Sequence, residues 1–148
     1  MVAIGIDPGT TTGLAIKYFF QGQPYMELDS GTITHMMMRV HHIALKNDDV
    51  MLFIEDARKR NWFGARAKEK LQGAGSIKRD CAIWEDWAKE MELPYHMIAP
   101  KDVATKQSSE AFALLTGIKR SNQHERDAAM IVWGISLTMF KGYLDAIH

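Results

Sequence analysis

The chain of 148 residues contains one cysteine, Cys81, and no apolar run near the ~20 residues that a membrane span needs. A single cysteine excludes an internal disulfide and a zinc site built from several cysteines. The helical pattern around Cys81 indicates a buried thiol. The first residues also lack a basic segment followed by a cleavable hydrophobic core. From these absences we expect a cytoplasmic protein that does not contact a membrane.

Net charge is lacking as well, because 18 Lys and Arg residues balance 18 Asp and Glu residues. A neutral chain has no overall attraction to a polyanion, so any nucleic-acid binding must come from local clusters of charge. The composition, 47% apolar and 24% charged, is that of a globular protein. The length fits a single domain covering 1–148.

The first informative stretch is Met1 to Gly13, a short apolar strand that ends in a carboxylate. Apolar and small residues alternate up to Asp7, and Pro8 and Gly9 then form a turn. A charged side chain at the end of a buried strand costs solvation energy unless it is paired or holds a cation. Asp7 is therefore a candidate site residue, although it also fits the cap of its own turn.

The rest of the chain reads as an α/β domain. Turn residues after the second strand predict three antiparallel strands in a meander, and the continuous apolar run of the fourth strand suits a parallel position. The expected later strands are Leu14–Phe20, Tyr25–Thr34, Val50–Asp56 and 95–100. The expected helices are 35–46, a long helix ending near Glu92, a helix from Pro100, Glu110–Leu115 and a last helix after Asn122.

The fourth strand repeats the pattern of the first, since its apolar run ends at Glu55 with Asp56 beside it. Side chains alternate along a strand, so only one of the two acids can share a face with a given partner. We favour Glu55 as the inward-facing acid. The alternative is that both are exposed charges at the end of the strand.

A basic stretch with two aromatic residues follows the fourth strand. Its cations are Arg58, Lys59, Arg60, Arg66, Lys68 and Lys70, and its aromatic residues are Trp62 and Phe63. Cations interleaved with exposed rings suit a polyanion whose bases stack. A solvated helix face with a core aromatic explains the same pattern. Glycines 73 and 75 would interrupt the long helix here, and close approach of another helix would explain them as a dimer seam.

The last helix begins with a pattern typical of a capping box, Asn122 followed by Glu125 three residues later. Capping accounts for Glu125, but it does not account for His124 and Asp127. Their spacing of three places both on one face of the helix. We therefore take His124 and Asp127 as candidate site residues.

These strand and helix ends can bring four side chains together: Asp7, Glu55, His124 and Asp127. Clustered carboxylates repel one another unless cations neutralise them, so the arrangement predicts that these side chains bind Mg²⁺ or Mn²⁺. Two such ions about 4 Å apart support the hydrolysis of phosphodiesters.

The motifs IGIDPGTTTG, FIED and HERDAA, in this order over nearly the whole chain, resemble those of RuvC-type Holliday junction resolvases, which are nucleases of the RNase H-like superfamily. The resemblance implies an RNase H-like fold, with a five-stranded mixed sheet of three antiparallel and then two parallel strands. By this resemblance Asp7, Glu55, His124 and Asp127 are the catalytic residues that bind two metal ions. His124 would be either a ligand or the group that orients water.

The same resemblance implies a homodimer that cuts four-way DNA junctions, and the small size is similar to that of phage and prophage forms. Lys101 and Lys106 match basic residues near the scissile phosphate, and Trp62 or Phe63 matches an aromatic that stacks at the junction centre. With Arg58, Lys59 and Arg60, these residues form the expected DNA-binding set.

Two other interpretations stay open. The segment GIDPGTTTG also resembles the phosphate loop of sugar kinases and actin-like ATPases, but those proteins need a second phosphate loop and a second domain. The other interpretation is a protein that binds branched DNA without cutting it, or one that acts in RNA processing.

Overall fold

Five strands form one mixed sheet in the computed structural model, which describes residues 1–21, 23–59, 67–104 and 106–147. The strands are β1 (Val2–Asp7), β2 (Thr12–Phe20), β3 (Gln23–Gly31), β4 (Val50–Glu55) and β5 (Tyr95–Ile98). They lie in the order β3, β2, β1, β4, β5. The first three pair antiparallel, and β1, β4 and β5 pair parallel. The prediction of a mixed sheet of three antiparallel and then two parallel strands is confirmed.

Helices flank both faces of this sheet. They are α1 (Ile33–Lys46), α2 (Ala67–Glu90), α3 (Ser109–Thr116), α4 (Gln123–Val132) and α5 (Leu137–Ile147). β3 is shorter at its end than expected, because Thr32 caps α1 by accepting a hydrogen bond from the backbone N–H of His35. Pro100 begins only a short 3₁₀ turn, Pro100–Asp102.

The expected last helix is in fact two helices, and a lysine from the sheet explains the break. The Nζ atom of Lys17, on β2, donates hydrogen bonds to the carbonyl oxygens of Val132, Trp133 and Ile135. These carbonyls lie at the end of α4 and just beyond it, where backbone acceptors are left without helical partners. Lys17 thereby ends α4, and Ile135 lies in the turn before α5.

Side-chain alternation divides the core into two layers. On one face of the sheet, Ile4 and Leu52 pack with residues of α1 and α2, including Trp84. On the other face, Ala3 and Phe53 pack with residues of α3, α4 and α5. The two faces thus meet different helices, and the face of a strand-end residue decides which helices it meets.

The glycines of the long helix do not interrupt it, because α2 runs unbroken from Ala67 to Glu90. Among the described residues, no atom lies within 4 Å of the place where a Cβ on Gly75 would stand. Packing inside the described part of the chain therefore does not explain why residue 75 is a glycine.

No single helix in the described ranges is long and apolar enough to cross a membrane. Taken together, α4 and α5 have the length and apolar composition of a membrane span, but the two helices are bent by 78° relative to each other.

Candidate functional site

Asp7 and Glu55 lie side by side at the carboxyl end of the parallel strands. The register of β1 and β4 pairs Ile6 with Ile54, so Asp7 and Glu55 are the next neighbours along the two strands. Ile6 and Ile54 face the layer of α1 and α2. Because side chains alternate, Asp7 and Glu55 face the opposite layer, which contains α4.

Two glycines allow α4 to lie directly on the sheet at this place. A Cβ on Gly13 would overlap the carbonyl oxygen of His124, and a Cβ on Gly5 would overlap that of Ala128. Gly13 pairs with Asp7 across β1 and β2, so this close approach brings His124 to Asp7. Nδ1 of His124 lies 3.5 Å from Oδ2 of Asp7.

The beginning of α4 is also anchored to the edge strand. Both hydrogen bonds of the capping box between Asn122 and Glu125 are present, which confirms that prediction. Ser30 of β3 accepts a hydrogen bond from Nδ2 of Asn122 at 2.8 Å and donates one to Glu125 at 3.4 Å. The cap therefore fixes both the start of α4 and its place on the sheet, and with them the position of His124.

Asp127 is buried one turn further along α4 and makes three polar contacts with two residues. Its Oδ1 accepts hydrogen bonds from Nε2 of Gln123 at 2.7 Å and from the backbone N–H of Lys106 at 3.1 Å. Its Oδ2 lies 3.6 Å from the ammonium of Lys106. Lys106 makes these contacts from a left-handed backbone conformation, φ 63°, which non-glycine residues seldom adopt.

The four predicted site residues lie on the two elements that this geometry joins, the carboxyl edge of the sheet and the beginning of α4. Their donor atoms, carboxylate oxygens and one imidazole nitrogen, are of the types that Mg²⁺ and Mn²⁺ accept. Among the described residues, no three His, Cys, Asp or Glu side chains come close enough to hold an ion. The types of donor atom therefore fit a metal ion. Two pairs of side chains are in contact in this structure, Asp7 with His124 and Asp127 with Lys106.

Asp56 lies on the other face and belongs to a different group of charges. It is buried, and Arg58 bonds both of its carboxylate oxygens while reaching Glu85 of α2 at 2.8 Å. Burial raises the pKa of Asp56, but the hydrogen bonds from Arg58 outweigh it, so this pKa is lowered overall. The hydrogen bond from Arg58 also lowers the pKa of Glu85. Arg58 thus ties the end of β4 to α2.

We expect Arg58→Met to lower the free energy of unfolding at pH 7 by about 2 kcal/mol, because it leaves the buried carboxylate of Asp56 without its cation. Both acids have lowered pKa values in the folded state, so the unfolded state binds more protons as the pH falls. The stabilisation is complete above the ordinary pKa values of 3.8 and 4.5 and is lost progressively as the pH falls from these values through the lowered values of the folded state. Urea unfolding at pH 7 and pH 3.5 should show a smaller difference for the variant than for the parent, and an equal difference would contradict this role.

The residues expected to bind DNA differ in whether other groups of the protein already engage their charged atoms. Arg58 is engaged by two acids, and the Nζ atom of Lys59 donates a hydrogen bond to the carbonyl oxygen of Met97. Lys101 and Lys106 are exposed, and Lys106 lies at Asp127. The predictions for Arg60, Trp62 and Phe63 fall outside the described residues.

Cys81 is a buried thiol, as its sequence pattern indicated. Its sulfur lies 3.5 Å from the carbonyl oxygen of Glu55 as a weak hydrogen-bond donor. Burial raises the pKa of the Cys81 thiol to about 11. Burial therefore disfavours the thiolate, which is the reactive form of a cysteine.

Sequence reasoning missed two side chains that organise the site, Gln123 and Arg126. Gln123 bonds Asp127 one turn away on the same helix face, so its spacing of four was a signal that could have identified it. Arg126 reaches the backbone carbonyls of Gln107 and Ser121, each at 2.9 Å. The contact with Gln107 spans 19 positions of the sequence, and no local pattern indicates it.

Comparison of the chain with known protein families finds no family that matches, and comparison with curated proteins finds no significant relative.

Proposed function

We propose that this protein is a metal-dependent, structure-selective endodeoxyribonuclease with an RNase H-like fold, which cuts four-way DNA junctions by paired nicks. The observation that carries the proposal is that Asp7 and Glu55 are neighbours at the carboxyl edge of the sheet, where His124 of α4 contacts Asp7 and Asp127 is buried one turn further along the helix. The resemblance of the sequence motifs to RuvC-type resolvases supports the same activity.

In this proposal Asp7, Glu55, His124 and Asp127 would hold two Mg²⁺ or Mn²⁺ ions. The chemistry that two such ions supply is polarisation of the phosphate oxygens and a lower pKa for the attacking water. Asp7 would be the ligand shared by the two ions, because it has Glu55 beside it in the sheet and His124 at 3.5 Å.

The contact with Asp7 also orients the ring of His124. With Nδ1 directed at Asp7, the Nε2 atom is left for an ion or for a proton of the attacking water. The His124 side chain is 49% exposed, so solvent and substrate can reach it. Lys106, whose side chain is 79% exposed, adds a positive charge next to Asp127 for the phosphate.

A homodimer follows from the substrate in this proposal. A four-way junction has two-fold symmetry, so a two-fold dimer can place one site on each of two opposed strands. Gly75 of α2 is exposed, and its missing side chain allows another copy to approach the helix closely there. We propose that the dimer acts in the cytoplasm.

The test is cleavage of a labelled synthetic four-way junction beside a linear duplex of the same sequence, with Mg²⁺, Mn²⁺ or EDTA. We expect paired symmetric nicks in the junction with either metal, and none with EDTA or in the duplex. Equal cutting of duplex would reject selectivity for structure. Tight junction binding without cutting in either metal would reject the nuclease.

A further inference from the structure

The segment between α3 and α4 is anchored at both ends and exposes two cations between its anchors. α3 ends at Gly117, whose left-handed conformation, φ 78°, turns the chain. Ile118 then packs into the core layer that contains α4, and Ser121 is held by Arg126 through its carbonyl oxygen and its hydroxyl. Lys119 and Arg120 lie between these anchors and are exposed. Their backbone is thus held in place while their side chains face solvent.

Arg126 brings this segment to the site. One nitrogen of its guanidinium, Nη1, bonds Ser121, and another, Nε, bonds the carbonyl oxygen of Gln107. Gln107 follows Lys106, whose backbone bonds Asp127. One side chain therefore joins the two loops that flank the beginning of α4.

The distance to the proposed catalytic residues is short. Arg120 comes four residues before His124, so their Cα atoms are at most about 14 Å apart. His124 itself contacts Asp7. A DNA strand whose phosphate lies at Asp7 therefore has its neighbouring phosphates within reach of this segment.

The charges of the two residues are available for a ligand. Within the described part of the chain, neither Lys119 nor Arg120 forms an ion pair or a side-chain hydrogen bond. Arg58 and Lys59, in contrast, are already engaged.

We infer that Lys119 and Arg120 form a pre-positioned clamp for the phosphates that flank the scissile bond, an inference that rests on the proposed function. Exposed cations on a fixed backbone bind phosphate with little loss of backbone entropy. The clamp contacts backbone phosphates and not base edges, so its contribution to binding is independent of sequence. It also provides the local positive charge that the neutral composition does not reveal.

The test is the equilibrium binding of a fluorescent four-way junction in EDTA, where cutting is not expected. The variant is Lys119→Ala/Arg120→Ala, and the matched control is Lys46→Ala/Lys141→Ala, which removes the same charge. Lys46 directly precedes the loop before β4, and α5, which carries Lys141, packs beside that loop through Leu144. Both control residues therefore lie towards the amino ends of the parallel strands, whereas the site lies at their carboxyl ends. Thermal unfolding of each protein verifies that the fold is intact.

We expect the clamp variant to bind about ten- to a hundredfold more weakly near 0.1 M salt, with a salt slope smaller by about 2. The control should change affinity less than threefold. Equal losses in both variants would show an effect of net charge alone and would overturn the clamp. Unchanged binding of the clamp variant would overturn it as well, while the proposed function would stand. A parent protein that does not bind the junction would overturn both.

Discussion

Asp7→Asn is expected to reduce junction cutting by about a thousandfold while leaving the fold and junction binding in place. Asparagine has nearly the same shape as aspartate, so the end of β1 and its turn keep their packing. The substitution removes the negative charge between Glu55 and His124, where the proposed metal ions bind. Metal-ion catalysis contributes several kcal/mol to the stabilisation of a transition state, and each 1.36 kcal/mol is a factor of ten in rate.

The measurement is the single-turnover cleavage rate of the labelled junction at saturating protein with Mg²⁺. Asp48→Asn is the matched control, because Asp48 is exposed in the loop before β4 and removal of its charge should leave the rate unchanged. A fully active Asp7→Asn protein would refute the assignment of the site. Loss of both cutting and folding would be detected by circular dichroism, and Glu55→Gln would then provide an independent test of the carboxylate cluster.

Gly13→Ala is expected to destabilise the protein by about 3 kcal/mol and to abolish cutting, because a single methyl group would overlap the backbone of α4. Its Cβ would meet the carbonyl oxygen and carbon of His124, and a backbone cannot move aside as the end of a flexible side chain can. To relieve the overlap, the beginning of α4 must move away from the sheet. His124 would then lose its contact with Asp7.

Urea unfolding and junction cleavage measure the two effects. Gly142→Ala is the matched control: Gly142 lies in α5, and no described atom stands within 4 Å of its would-be Cβ. Since alanine favours helix over glycine by about 1 kcal/mol, this control should be as stable as the parent or more stable. A Gly13→Ala protein with the stability and activity of the parent would show that neither property needs the close packing of α4 on the sheet.

Local patterns in the sequence determined much of the fold and the candidate residues. The alternation before Asp7 and the continuous apolar run before Glu55 predicted two strands that the structure contains. The spacing of Asn122 and Glu125 predicted the start of α4 to within a residue. These features depend on side-chain period and on hydrogen bonds within one turn, so neighbouring residues suffice to specify them.

Only the tertiary structure decided which charged side chains are engaged in ion pairs or hydrogen bonds, and where the helices pack against the sheet. The pairing of Arg58 with Glu85, the end of α4 at Lys17, and the bridge that Arg126 makes between two loops join residues far apart in the sequence. A cation has the same local pattern whether it faces a phosphate, an acid or a helix end, and burial and partner geometry distinguish these cases. The seating of α4 on Gly5 and Gly13 is of the same kind, because the need for a missing side chain arises from the element that packs against it.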